Sequence, residues 1–391
     1  MRNTSGILGM IAWLMVGLGS YGIASKPGMP GASRLHPTAP FPSPKTIREF
    51  TITENDTTSY VLKLALNEAN RPQYFFRNVF TPVCLTGECK PVYINFYWDL
   101  LGNYLRYDFP PHEVLTKMDH EEFKPEDYEK LQAILSNTNS LLKDVAMEDL
   151  VGKGTENLAD SVDAKAGATL KTVKNEVIDG AVYTCYTLWH IAHGSVVDEM
   201  QKITETYRSD TLLHEFLGSS NHFYQYWAME RVIDKAGNAT AAFSPDLMQI
   251  MRAKNLFTAR YALQKLSPQF FAGADRQTWL WETYTKAAYP LQIAILKKLT
   301  TVPLRAPLAE QTARALVNAN PEQFNLLLNL LASQPKLPEK ALQTLAGHLS
   351  HSNSEYTAEI YRVLTTLKPK NPAVQARMKV YKTRTSQPGQ D

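Results

Sequence analysis

The sequence has few cysteines, no run of like charges and none of the familiar catalytic motifs. Its 41 basic and 38 acidic residues are interspersed along the chain and leave a net charge of +3. Basic residues do not interleave with aromatic ones, as they do in proteins that bind nucleic acids. We therefore expect no nucleic-acid partner.

The missing motifs remove support for several enzyme classes. The chain has no Gly-x-Ser-x-Gly, no Walker lysine loop and no Gly-x-Gly-x-x-Gly after a predicted strand, which argues against hydrolases, nucleotidases and dinucleotide oxidoreductases. His190 and His193 share a helix face, but no His-Glu-x-x-His or Cys-x-x-Cys supplies further zinc ligands. We interpret the pair as a helix end before Gly194 and Asp119–Glu122 as a solvated turn, and we predict no metal site.

The length and composition predict two domains. A chain of 391 residues exceeds one typical domain of ~100–200 residues, and its 44% hydrophobic content is enough for two cores. We expect an α+β N-terminal domain over residues 47–195, followed by an all-α helical-repeat (solenoid-like) domain over residues 196–384. Residues 385–391 are expected to form a disordered tail.

The beginning of the chain predicts export. Arg2 precedes an apolar stretch over residues 6–24, which ends in small residues suited to cleavage. Residues 1–25 are therefore expected to be a signal peptide or a retained membrane anchor. Residues 26–46, rich in Pro, Gly and Ser, predict a solvated linker. Whether the apolar stretch is cleaved or retained, we expect the rest of the chain to lie outside the cytoplasm, in the periplasm or anchored in the cell envelope.

The N-terminal half carries a strand pattern, and the pattern then becomes helical. Aromatic and β-branched residues dominate up to Phe109, and a helical pattern opens near Lys124. Strands followed by helices suit an α+β domain. We predict strands over Glu49–Thr53, Tyr74–Val83, Pro91–Trp98 and Tyr104–Phe109, with a helix over Tyr60–Glu68.

Long amphipathic runs fill the chain beyond residue 196, and they contain little glycine. Several open with proline, which is harmless in the first turn of a helix. We expect one helix per run and stacking in pairs, as in an α-solenoid whose concave face binds protein. The runs are Thr211–Asp234, Pro245–Leu266, Asp275–Leu299, Pro307–Asn318, Pro321–Ala332, Pro338–Leu349, Ser354–Leu367 and Pro372–Thr383.

Aromatic clusters and cysteines leave alternatives open. His222–Trp227 and Trp279–Trp281 are candidate surface anchors, although at helical spacing we favour core positions. Cys84 and Cys89 bracket a glycine-bearing turn, which favours a disulfide, with free thiols or a redox-active pair as alternatives. Cys185 lies on an apolar face and is expected to be a buried small hydrophobe.

The most informative segment is Asp163-Ala-Lys-Ala-Gly-Ala-Thr169. Gly167 and Ala168 are too small to screen a hydroxyl at Thr169, so we expect an accessible nucleophile there. An apolar-periodic segment follows and predicts a helix from about Leu170, whose N-terminal N–H groups would hold a phosphate. An ordinary small-residue loop before a helix is the alternative.

This segment resembles the Asp-x-x-Ser-Gly-Ala-Thr signature of the covalently flavinylated FMN-binding domain. That domain occurs in subunits of the Rnf and sodium-pumping NADH:quinone oxidoreductase complexes and in related extracytoplasmic redox proteins. The resemblance covers at most roughly residues 80–195. It implies that a flavin transferase links FMN to Thr169 as a phosphoester. Asp163, Gly167 and Ala168 would serve recognition of the motif and close approach to the cofactor. Ala166 stands where the family has Ser.

The sequence thus predicts a membrane-associated or periplasmic flavoprotein in electron transport. It would be a redox carrier, and an enzyme only as one component of a larger oxidoreductase, with a redox partner protein in the cell envelope. The alternative is a non-catalytic envelope scaffold that binds a protein through the helical repeats and carries no flavin.

Overall fold

A computed structural model describes residues 43–54, 58–84, 89–117, 120–150, 173–351 and 353–386. Contacts divide these residues into two compact units. The first contains the described parts of 82–91 and 113–186, and the second contains those of 44–81, 92–112 and 187–386. The architecture is an antiparallel sheet followed by a long helical region, which confirms the expected α+β and all-α fold classes.

Five strands form the sheet in the order of the chain, each antiparallel to the next. Large side chains that alternate along the strands, including Phe75, Ile94, Phe96 and Trp98, are fully buried. The strands are β1 (Thr46–Thr53), β2 (Ser59–Leu66), β3 (Pro72–Thr81), β4 (Val92–Trp98) and β5 (Tyr104–Asp108).

Strand β2 corrects the helix that we predicted over Tyr60–Glu68. Its leucines at 62, 64 and 66 are buried, whereas Val61 is exposed, which is the two-residue period of a strand. Strand β1 also begins at Thr46, so the sheet includes the last residue of the predicted linker. The four predicted strands are confirmed with boundaries shifted by one to three residues.

Fourteen α-helices lie in the described part of the chain. They are α1 (Pro125–Ser136), α2 (Val182–His193), α3 (Val196–Thr206), α4 (Asp210–Gly218), α5 (His222–Val232), α6 (Ser244–Arg252), α7 (Leu256–Lys265), α8 (Ala274–Lys286), α9 (Tyr289–Leu299), α10 (Ala306–Ala315), α11 (Pro321–Ala332), α12 (Glu339–Gly347), α13 (Ser354–Leu367) and α14 (Pro372–Ser386). Short 3-10 helices cover Leu141–Asp144, Met147–Asp149, Lys174–Glu176, Ala241–Phe243, Pro268–Phe271, Leu316–Asn318 and His348–Ser350.

Helices α4 to α13 pack as five successive pairs, as expected for helical repeats. The second helices of the pairs, α5, α7, α9, α11 and α13, contact one another in series. Side-chain hydrogen bonds link neighbouring pairs at a regular spacing, for example His214 to Asp246 and Asn371 to Glu339, each 32 residues apart. Each repeat therefore consists of one helix pair, and equivalent positions in neighbouring repeats lie about 32 residues apart.

Three of the predicted single helices are pairs instead. The runs Thr211–Asp234, Pro245–Leu266 and Asp275–Leu299 each contain a break between two helices. Asn221 and Asn255 start the second helix of the first two runs. The side chain of Asn221 accepts a hydrogen bond from one backbone N–H of the first turn, and that of Asn255 accepts from two. A polar residue inside an amphipathic run can therefore end one helix and cap the next.

The expected domain boundary between residues 195 and 196 falls inside the second unit. Strands and helices of that unit share hydrogen bonds: the Trp98 indole N–H donates to the carbonyl of Ala192 at 2.7 Å, and the Thr204 hydroxyl donates to that of Leu100 at 2.5 Å. The second of these hydrogen bonds crosses the expected boundary.

No helix in the described ranges is both long and apolar enough to cross a membrane.

Candidate functional site

The residues predicted to carry flavin lie outside the described residues. These are Thr169, Asp163, Gly167 and Ala168, together with Ala166. The predicted signal or anchor over residues 1–25 and most of the linker also lie outside them, as do residues 387–391 of the tail. The candidate site is therefore built from the segment that follows Thr169.

The helix that we expected to begin near Leu170 begins at Val182. Residues 174–176 form a 3-10 turn, and Gly180 has a φ of +75°, a conformation that interrupts a right-handed helix. Val173, Val177 and Cys185 of the apolar-periodic segment are nevertheless buried. The helix whose dipole we expected beside Thr169 therefore begins thirteen residues after it, at Val182.

Glu176 fixes the segment after the motif. Its carboxylate accepts a hydrogen bond from the Ser140 hydroxyl at 2.6 Å and one from the Asn137 amide at 3.3 Å. Asn137 is the C-terminal cap of α1, and the Ser140 side chain caps the 3-10 helix Leu141–Asp144. Glu176, seven residues after Thr169, is thereby tied to the end of α1.

A buried ion pair lies next to the same segment. The Lys117 ammonium contacts the Asp127 carboxylate at 2.8 Å, and a Cβ at Gly180 would lie 3.4 Å from the Lys117 side chain. Burial opposes the charged form of Asp127. Hydrogen bonds from Lys117 and from the Lys124 backbone N–H outweigh burial and lower the pKa of Asp127.

Cys84 and Cys89 are paired as a disulfide, with Cα atoms 5.9 Å apart, and the Cys89 N–H donates to the Cys84 sulfur at 3.0 Å. A redox role for the pair stays a prediction. Cys185 is fully buried, and its sulfur accepts a hydrogen bond from the Ile178 N–H at 3.4 Å.

The two histidines occupy the last turn of α2 and pack against aromatic rings. The His190 ring lies 5.1 Å from that of Trp189, and the His193 ring lies 4.8 Å from it. Within the described ranges, no three His, Cys, Asp or Glu side chains are placed to hold a metal ion. In the predicted acidic turn, Glu121 and Glu122 are exposed, and Asp119 lies outside the described residues.

The aromatic clusters are only partly core. Trp227 and Trp281 are buried, whereas Phe223 is 49% exposed and Trp279 lies under the Arg252 guanidinium at 4.8 Å. Tyr224 has a specific structural contact, because its hydroxyl accepts a hydrogen bond from the Leu100 N–H at 2.9 Å. Burial raises the pKa of Tyr224, so its hydroxyl stays protonated.

The sequence did not predict a network of hydrogen bonds around Asp99, at the turn between β4 and β5. The Asp99 carboxylate accepts hydrogen bonds from the N–H groups of Leu101 and Asn103, from the Asn103 amide and from the Asn221 amide, at 2.8 to 3.0 Å. Burial raises the pKa of Asp99. Only the turn itself could be read from the sequence, because Asn221 lies 122 residues away.

A cleft of about 470 Å³ was also missed. It lies on α7, α9 and the start of α11, the second helices of three successive pairs. Its apolar lining includes Leu263 and Ile293, and its charged lining consists of Arg260, Lys297, Lys298 and Glu322. We call it the basic cleft, since three cations face one carboxylate.

No protein-family model matches this sequence, and no curated protein matches it either.

Proposed function

We propose that the chain is an extracytoplasmic electron-transfer protein that carries FMN on Thr169 and docks a partner protein through its helical repeats. The flavin half of the proposal is carried by Asp163–Thr169, whose likeness to the flavinylated family puts a hydroxyl at the acceptor position. FMN supplies the redox chemistry, passing one or two electrons, and the polypeptide sets its position and potential.

The residue types around Thr169 fit this role. Thr169 has an alcohol oxygen for a phosphoester, and residues as small as Gly167 and Ala168 would leave that oxygen accessible. Lys171 and Lys174 add positive charge beside a phosphate. Glu176, held by Ser140 and Asn137, anchors the segment that follows, which would limit the movement of an attached flavin.

The helical repeats support the docking half. Stacked helix pairs present one extended surface to a partner, and proteins of this architecture use it for binding. The redox partner would be a protein of the cell envelope, and the flavin transferase would be a second, transient partner. The apolar stretch over residues 6–24 and the Cys84–Cys89 disulfide support an oxidising compartment outside the cytoplasm.

Ala166 favours a second candidate function. If the transferase needs the Ser that the family has at this position, the chain would be a flavin-free envelope scaffold that binds its partner through the helical repeats.

Co-expression with a flavin transferase separates the two. We expect the purified chain to be yellow and its flavin fluorescence to stay with the protein after denaturation and precipitation. Thr169→Ala should be colourless yet folded. A colourless parent chain that gains flavin on Ala166→Ser substitution would support the scaffold instead.

A further inference from the structure

The basic cleft carries more positive charge than the chain itself neutralises. Among the described residues, neither Arg260 nor Lys297 forms a side-chain ion pair. The Lys298 ammonium donates to the carbonyl of Leu266, and burial lowers its pKa. Glu322 accepts a hydrogen bond from the Tyr289 hydroxyl at 2.5 Å, so its carboxylate is already engaged.

The floor of the cleft is apolar. Leu263 is 1% exposed and Ile293 8%, and Pro290 and Ala294 extend the same surface. The volume lies within the ~300–1,000 Å³ of typical ligand sites. An occupant must therefore combine negative charge with a hydrocarbon group.

We propose that the basic cleft binds an acidic segment of a partner protein, with a carboxylate against Arg260 and Lys297 and an aliphatic side chain on Ile293. This inference rests on the proposed docking role of the helical repeats and is independent of the flavin. Charge complementarity of this kind steers association and fixes the register of the bound segment.

The surrounding charges favour a peptide over a nucleic acid. On the adjacent helix α5, Glu230 is paired with Lys265 at 3.1 Å and also accepts a hydrogen bond from Tyr261. Glu322 limits the positive charge at the other end of the cleft. Nucleic-acid binding needs a longer basic stripe than these three cations provide.

A labelled model peptide tests the proposal on the full chain. The probe is a fluorescein-labelled ten-residue peptide of alternating Glu and Leu, followed by fluorescence anisotropy. We expect the double variant Arg260→Glu/Lys297→Glu to bind at least tenfold more weakly than the parent. Ala294→Trp, which fills the cleft without changing its charge, should weaken binding as well. A peptide with Gln in place of Glu should bind at least tenfold more weakly to the parent.

The matched control is Lys235→Glu/Lys340→Glu, which makes the same change in net charge at exposed lysines outside the cleft. It should leave the affinity within threefold of the parent, and circular dichroism should show the same helix content for all variants. The proposal is overturned if the parent does not bind the peptide or if both double variants bind equally. Displacement of the peptide by micromolar inorganic phosphate would also overturn it, by making the cleft a small-anion site. None of these results bears on whether Thr169 carries FMN, so the two failures are distinguishable.

Discussion

The ion pair of Lys117 and Asp127 supports the segment that follows the Asp163–Thr169 motif. Their side chains are only 16% and 12% exposed, so solvent screens their contact less than it screens a surface ion pair. The pair also lies beside Gly180, the residue that separates the 3-10 turn from α2. The alkyl part of Lys117 and its charge therefore both support the conformation of the segment behind Thr169.

Lys117→Met should destabilise the chain by about 1.5–3 kcal/mol at neutral pH, because it removes a hydrogen bond to a charged, mostly buried carboxylate. The lowered pKa of Asp127 stabilises the fold above the ordinary Asp pKa of about 3.9, and this stabilisation is lost as pH falls through the folded-state value. The difference between parent and variant in urea unfolding should thus be full at pH 7 and shrink toward acid pH. A matched control is Lys124→Met, because the side chain of Lys124 is 60% exposed and its loss should cost under about 0.5 kcal/mol. A constant difference across pH would contradict this role.

At the scale of elements, asparagine caps set where the helices of each pair begin. Asn221 starts α5 by accepting from the Phe223 N–H at 2.9 Å, and its amide also donates to Asp99 at 3.0 Å. Asn255 starts α7 through the N–H groups of Phe257 and Thr258 and makes no such second link in the described structure. Asn221 therefore caps α5 and also links it to the turn between β4 and β5, whereas Asn255 only caps α7.

Replacing Asn221 by Ala should cost more than replacing Asn255 by Ala. Loss of a cap costs ~1 kcal/mol, and Asn221→Ala also removes a donor from the buried Asp99 carboxylate, which adds about 1–3 kcal/mol. Chemical denaturation of both variants measures the difference. Equal losses would mean that the link to Asp99 contributes nothing to stability.

Individual strands and helices could largely be predicted from the sequence, whereas contacts between residues far apart in the chain could not. Strand β4 and helices α11 and α13 were found because their periods and caps are local signals. Strand β2 was mistaken for a helix because leucine and alanine have high helix propensity and a short apolar run fits either structure. Its pairing with β1 and β3 decides between the two. The contact of Asp99 with Asn221 depends on packing of the sheet against a helix pair, and the grouping of Arg260 with Lys297 depends on packing between neighbouring pairs. No local pattern encodes either.

At the scale of the whole molecule, the sheet and the helices of the second unit are joined by polar contacts. Gln201 donates to the carbonyl of Leu101 at 3.2 Å, and a Cβ at Gly102 would lie 2.8 Å from the Val197 side chain. Helices α3 and α5 therefore hold the turn between β4 and β5. A chain cut after α2 would leave that turn without its partners.

A chain that ends at Gly194 should consequently fail to show a cooperative unfolding transition. A chain that ends at Ala332 keeps α3 and α5 and should unfold cooperatively, although with lower stability because it loses its terminal repeats. Thermal unfolding followed by circular dichroism compares the two. If the shorter chain folds cooperatively, the expected boundary between residues 195 and 196 is a true domain boundary.

Covalent flavin on Thr169 is the central claim, and intact-mass spectrometry tests it most directly. The parent chain and two variants, Thr169→Ala and Thr169→Ser, are co-expressed with a flavin transferase and denatured before measurement. We expect the mass of one FMN, less one water, on the parent and on Thr169→Ser, which keeps a hydroxyl, but not on Thr169→Ala. An increment that persists on Thr169→Ala, or none on the parent, would contradict it.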